Sequence, residues 1–201
     1  MSIREAPTLQ HWNYFLALED DVVRLSRYLE PTQDNFDAYS LESARILFAA
    51  ASEVDVVSKR LCQKLNSKSK SSKITQYKNE ILSVYPQLVS SIVEIPRFGL
   101  TFTPWVQWKI EESPLWWRAY NNVKHHRDTH FAEASLKNTL NAVAGLFVVL
   151  LFFYRNEGQN GHLAPNPTIF RAGIPFHVDQ LVWGPNTFVY QLEYDNDGQG
   201  H

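Results

Sequence analysis

The sequence predicts a mostly α protein: an antiparallel helical bundle with a small irregular or β C-terminal appendage. Apolar residues recur at helical spacing through most of residues 8–155. That pattern is interrupted by an irregular excursion over 88–112, where Ser90-Ser91-Ile92-Val93-Glu94-Ile95 is followed by Pro96, Gly99 and Pro104. After Glu157 the texture changes to Gly158, Gly161, Pro165, Pro167, Gly173, Pro175, Gly184 and Pro185. The chain therefore divides into a bundle over 1–157 and a Gly/Pro-rich segment over 158–201.

The elements come in a clear order. A first helix is expected from Thr8 to Leu29, closed by Glu30-Pro31. Ser40 caps a long second helix that runs to about Leu65, with Leu41, Ala44, Leu47, Phe48, Ala51, Val54 and Leu61 on its apolar side. The Ser/Lys-rich stretch 66–73 reads as a loop, and a third helix spans Ile74 to Val84 before Pro86. In the excursion, Phe98, Phe102, Trp105 and Trp108 are expected to pack over the bundle. Ser113 as N-cap and Pro114 at the first helical position open a helix that reaches Arg127. A sixth segment runs from Thr129 to Arg155, with Leu136, Leu140, Val143, Phe147, Leu150, Leu151 and Tyr154 inward. Beyond it, short β-like runs at 168–171, 178–183 and 188–194 fit either a small β unit or a tail laid across the bundle.

Composition narrows the class. The chain has 201 residues, is 44% hydrophobic and carries a formal charge of −2, so nothing in its bulk charge draws it to nucleic acid. Six Trp, nine Tyr and twelve Phe supply aromatic surfaces as well as core. The single Cys62 excludes an internal disulfide and points to a reducing compartment. No basic segment followed by an apolar stretch opens the chain. The apolar run from Ala142 to Tyr154 falls short of the about 20 residues that span a bilayer. A cytoplasmic protein with no membrane contact is expected. There is no glycine-rich phosphate loop and no local Ser-His-Asp or Cys-His signature, which argues against a kinase, an NTPase or a Rossmann enzyme.

The most informative stretch is Arg118-Ala119-Tyr120-Asn121-Asn122-Val123-Lys124-His125-His126-Arg127. At about 100° per residue, Trp116, Ala119, Tyr120 and Val123 share one side of a helix, while Arg118, Asn121, Asn122 and His125 cluster on the other. Arginine offers a permanently charged fork for phosphate oxygens, and histidine passes protons near neutral pH. Asn121 and Asn122 can hold a ribose hydroxyl or a phosphate. Two readings of spacing alone stay open: a phosphate or acid–base site, and a polar helix face that caps neighbouring loops.

Arg, six residues and His on a late helix of an α bundle resembles the signature of the HEPN superfamily. The fuller string from Trp116 to Arg127 is similar to the W..YN..KH.R pattern of a group of uncharacterised bacterial HEPN-like proteins. The run Ala134-Ser135-Leu136-Lys137-Asn138-Thr139-Leu140-Asn141-Ala142-Val143-Ala144-Gly145-Leu146-Phe147 resembles the next helix of that group. The resemblance covers roughly residues 10–155, with its specific motifs within 105–147. It implies a HEPN-like bundle that pairs as a homodimer, bringing two Arg/His faces into one cleft. It further implies a metal-independent endoribonuclease without cofactor, of the toxin–antitoxin or phage-defence kind, in which the RNA's 2′-hydroxyl attacks the adjacent phosphate. An antitoxin or defence-system protein would then be a partner. Carried onto this chain, His125 assists proton transfer and Arg118 binds the scissile phosphate; Asn121, Asn122, Lys124, Arg127 and Tyr120 contact substrate. Many active members place a polar residue directly after the Arg, where this chain has Ala119. Other HEPN domains bind nucleotides or scaffold without cutting, and a non-catalytic nucleotide- or partner-binding module is the alternative. The aromatic residues Trp105, Trp108, Trp116, Trp117 and Trp183 would serve it as interface anchors.

Secondary features complete the reading. Lys59, Arg60, Lys64, Lys68, Lys70, Lys73 and Lys78 fall in a stretch without acid, either an RNA-backbone track or a solvated loop. His126, His130 and Glu133 have helical spacing, but Asp128-Thr129 is expected to break the helix between them, and no metal site is assigned. Glu53, on the long helix, is the candidate acidic residue behind Arg118 or His125. Cys62 reads as a buried helix cysteine rather than a nucleophile.

Overall fold

The computed structural model describes residues 8–178 and 190–192, and its elements are α1 (Gln10–Leu25), α2 (Leu41–Leu65), α3 (Ile74–Leu82), β1 (Val93–Ile95), β2 (Leu100–Phe102), α4 (Leu115–His125), α5 (Arg127–His130), α6 (Leu136–Phe153), α7 (Arg155–Gln159), β3 (Arg171–Ala172), β4 (Phe176–Val178) and β5 (Tyr190–Leu192). The protein is mostly α. Of the β-like runs expected from the sequence, 179–183, 188–189 and 193–194 lie outside the described residues, as does Trp183.

α2 and α6 form the central pair, with α1 and α4 packed against both and α3 against α2. Local sequence sets the ends of the pair. The Ser40 hydroxyl accepts the Ser43 amide at 3.0 Å, and the Ser135 hydroxyl accepts the Asn138 amide at 3.3 Å, so each helix starts at a serine cap. After its polar first turns, α6 is apolar around its circumference and buried throughout from Ala142 to Phe152, which makes it the core helix of the bundle. It is long and apolar enough to cross a membrane by length and composition, and the bundle covers 78% of its most apolar window.

The order of the helices departs from a purely antiparallel arrangement. α1 runs antiparallel to α6, since Trp12 and Phe15 meet Phe147 and His11 meets Phe153. α2 runs parallel to α6: Ser43 near its start is bonded by Thr139, and Lys64 near its end reaches the Phe153 carbonyl. The physical reason is the long connection between α2 and α6. The backbone of Leu136 and Lys137 donates to the carbonyls of Ala38 and Phe36, so the chain returns to the end at which α2 began.

The excursion is the device that makes this return. β1 and β2 form an antiparallel hairpin around Gly99, whose φ of 62° suits a residue without a Cβ. Four tryptophans then lock it to the bundle. Trp105, Trp108, Trp116 and Trp117 are each at most 8% exposed, with ring centroids of successive pairs 4.3–5.8 Å apart. Their two innermost indole N–H groups donate to the carbonyls of Gly145 and Pro104 at 3.1 and 2.8 Å. These rings belong to the protein's own core, which corrects the expectation that they anchor a partner.

Gly145 is where this cluster approaches the backbone of α6. A Cβ there would lie 2.8 Å from Trp116 Cζ2. Gly145→Ala is therefore expected to lower stability by about 1–3 kcal/mol despite alanine's better helix propensity. Chemical denaturation reads this directly; an unchanged or raised midpoint would show that the indole can yield.

The C-terminal segment, as far as Val178, lies across the bundle. Leu163, Ile169, Phe170 and Phe176 are buried in the common core, and β3 adds a third strand beside β1. The clamp is Glu19, 1% exposed on α1, whose carboxylate accepts the backbone amides of Thr168, Ile169 and Phe170 at 2.8–3.0 Å. The Trp12 indole adds a bond to the Pro165 carbonyl at 2.9 Å. β4 pairs with β5 beyond this strap.

Candidate functional site

The motif helix α4 begins one residue later than the capping pattern implies. Pro114 occupies the N-cap position, with no side-chain cap, and Ser113 lies outside the helix. It ends at His125 rather than Arg127, because His126 leaves helical geometry at φ −140°, ψ 50°. The sixth segment is likewise broken: α5 and a 3-10 turn at Phe131–Glu133 precede the Ser135 cap, so α6 starts later than Thr129. Within α4 the two faces fall as the spacing dictates. Trp116, Ala119 and Val123 are buried, Tyr120 is half-buried against Phe48 of α2, and Arg118 and His125 are exposed.

Arg118 and His125 are seven residues apart, hence almost in line along the helix and separated by about 10 Å of axial rise. The Arg118 guanidinium lies 3.5 Å from Glu112, a loose pair in which both side chains are about half exposed. His125 is open to solvent, with its ring 6.4 Å from that of His126. A fixed positive charge and a proton-carrying ring thus share one open face. Phosphate bound there would compete with Glu112 for the guanidinium.

The residues between them are more committed than the spacing suggests. Asn121 donates back to the Trp117 carbonyl at 3.0 Å. Asn122 donates to the Glu133 carboxylate at 2.9 Å, and the same carboxylate holds His130 Nδ1 at 2.6 Å. Glu133 is therefore a hub that ties α4 to the segment before α6, a role its sequence position did not signal. Lys124 sits 3.3 Å from the Tyr120 hydroxyl, with its ammonium over that ring, and Arg127 stacks over Phe131 at 4.9 Å. Both cations are exposed and border the same end of the helix. Ala119 is 2% exposed and faces the core, so its position adds nothing to the site.

Glu53 is not behind Arg118 or His125. Its carboxylate is taken by His11 Nδ1 of α1 at 2.5 Å, because the side of α2 that carries Glu53 faces the start of α1. The basic stretch is also redistributed. Lys78 is buried and pairs with Glu111 of the excursion, and Arg60 and Lys64 border a cleft beside His11. Lys59 lies about 16 Å along α2 from Phe48, the contact of Tyr120, so the stretch does not extend the motif face. Among the described residues, no three His, Cys, Asp or Glu side chains are grouped to hold a metal ion.

Cys62 is fully buried, and burial together with the nearby Glu80 charge pushes its thiol up to about 12. A thiol reagent at pH 8 is expected to label the native protein negligibly and the urea-unfolded protein fully. Rapid labelling of the native chain would contradict this burial. No known protein-family model matches the chain, and neither a curated protein nor a solved structure is detectably similar to it.

Proposed function

We propose that the protein is a HEPN-like, metal-independent endoribonuclease that works as a homodimer, with Arg118 and His125 at the cutting site. The observation that supports this reading is their placement: both heads lie along one flank of α4, exposed rather than sealed against the bundle. In the proposed reaction the ribose 2′-oxygen bonds to the adjacent phosphorus while the bond from phosphorus to the 5′-oxygen breaks. Products carry a 2′,3′-cyclic phosphate and a 5′-hydroxyl. His125 moves a proton between the 2′-hydroxyl and the leaving oxygen, and Arg118 leaves Glu112 to neutralise the extra charge on phosphorus. Lys124 and Arg127 hold flanking phosphates, with affinity that falls as salt rises. A role in a toxin–antitoxin or defence system comes from the same resemblance, with an inhibitory protein as its natural partner.

The test is incubation of the purified protein with single-stranded and structured RNA in EDTA. Cleavage leaving cyclic-phosphate ends is the expected outcome. If neither RNA is cut while a nucleotide binds saturably, the face belongs to a binding module instead.

A further inference from the structure

An open cleft lies at the end of the bundle opposite the motif face. The start of α1, the last two turns of α2 and the junction of α6 with α7 line this open surface cleft, of about 550 Å³. This is within the range of small-ligand sites. His11, Arg60, Lys64, Tyr154 and Glu157 line it. His11 is 8% exposed, its Nδ1 is bonded to Glu53 at 2.5 Å, and its Nε2 is buried without a hydrogen-bond partner. Glu157 Oε2 is also buried and unpartnered. Lys64 is anchored by the Phe153 carbonyl at 2.8 Å, with its ammonium 5.3 Å from the centre of that residue's ring. Unsatisfied buried polar atoms cost free energy, and two of the residues lining this cleft each carry one.

We propose that this cleft binds a small phosphate monoester that also carries hydroxyl groups, such as a sugar phosphate or a nucleotide. Arg60 and Lys64 supply the positive charge for the phosphate. The Glu53 carboxylate fixes the His11 tautomer, leaving Nε2 to meet the phosphate in either protonation state: the neutral ring accepts from P–OH, and the protonated ring donates to P–O⁻. Glu157 is the one acid in a lining whose fixed cations are Arg60 and Lys64, so it suits a ligand hydroxyl rather than the phosphate. The cleft owes nothing to the motif face. His125 lies toward the start of α6 and the cleft at its end, across a helix about 27 Å long.

The experiment tracks the His11 ring resonances by NMR, with calorimetry alongside, during titration with ribose 5-phosphate, AMP, inorganic phosphate and ribose. Ribose 5-phosphate and AMP are expected to shift the His11 signals saturably, inorganic phosphate more weakly, and ribose not at all. Arg60→Gln and Lys64→Gln, both at exposed positions, should each weaken binding about tenfold. Glu157→Gln should narrow the preference for ribose 5-phosphate over inorganic phosphate. His125→Ala should leave all of these affinities unchanged. The proposal is overturned if no phosphate compound moves the His11 signals, if Arg60→Gln and Lys64→Gln bind as well as the parent, or if His125→Ala abolishes binding. None of these outcomes depends on whether RNA is cut.

Discussion

His125→Ala is expected to slow RNA cleavage in EDTA by about 100-fold or more, the usual contribution of a positioned general acid or base. Arg118→Ala is expected to cost a comparable factor, since a guanidinium aimed at developing phosphate charge acts mainly in the transition state. Both side chains are exposed, and the Arg118–Glu112 pair is loose, so neither change should move the unfolding free energy by more than about 0.5 kcal/mol. A loss of cleavage at constant stability therefore reports on chemistry at this face. Lys124→Ala and Arg127→Ala should instead weaken RNA binding and flatten its salt dependence, leaving single-turnover cleavage at saturating RNA close to the parent rate. If His125→Ala cuts as fast as the parent chain, the site lies elsewhere.

The largest expected effect on stability comes from Glu19→Ala. The carboxylate satisfies three consecutive backbone amides of the C-terminal strap from a position that is 1% exposed. Removing it leaves the amides of Ile169 and Phe170 buried and unpaired, while exposed Thr168 can turn to water, at a cost of about 2–4 kcal/mol. Glu19→Gln keeps one acceptor oxygen but sets an amide N–H against the same donors, so a smaller loss of about 1–3 kcal/mol is expected. The damage should be regional before it is global. The strap carries Leu163, Ile169, Phe170 and Phe176 into the core and holds β3 against β1. Hydrogen exchange over 163–176 should therefore accelerate well before α2 or α6 opens. Uniform protection in Glu19→Ala, with a denaturation midpoint like the parent's, would show that apolar packing alone holds the strap.

The features legible in the sequence are local ones. Ser40 is followed by a 25-residue amphipathic helix, and the residues read as its cap and its end occupy those positions. The motif helix buries Trp116, Ala119 and Val123 and exposes Arg118 and His125 because a 3.6-residue period is a property of neighbours. The features that escape depend on distance along the chain. Glu19 meets residues about 150 positions away, and His11 meets Glu53 across 42, and no local pattern encodes either pairing. The assignment of Glu53 to the motif face fails for that reason: one helix offers a carboxylate to several neighbours, and only the packing of α1 decides which receives it. The motif helix ends two residues earlier than its polar pattern implies, since a bend made by the backbone of His126 leaves the flanking pattern unchanged. Sequence divides the tryptophans between core and partner surface because composition counts rings without saying which way they face. The hairpin's return path, which sets α2 and α6 parallel, likewise lies in no single segment.

The central claim is that Arg118 and His125 meet their symmetry mates to act on one phosphodiester. Mixed dimers test it most directly. Arg118→Ala and His125→Ala chains, each inactive alone, are co-expressed with different tags, and the heterodimer is isolated and given RNA in EDTA. Recovery of cleavage well above either parent homodimer is predicted, because the intact Arg118 of one chain can then serve the intact His125 of the other. A heterodimer that stays as inactive as its parents, or a chain that sediments only as a monomer while cutting RNA, would contradict it.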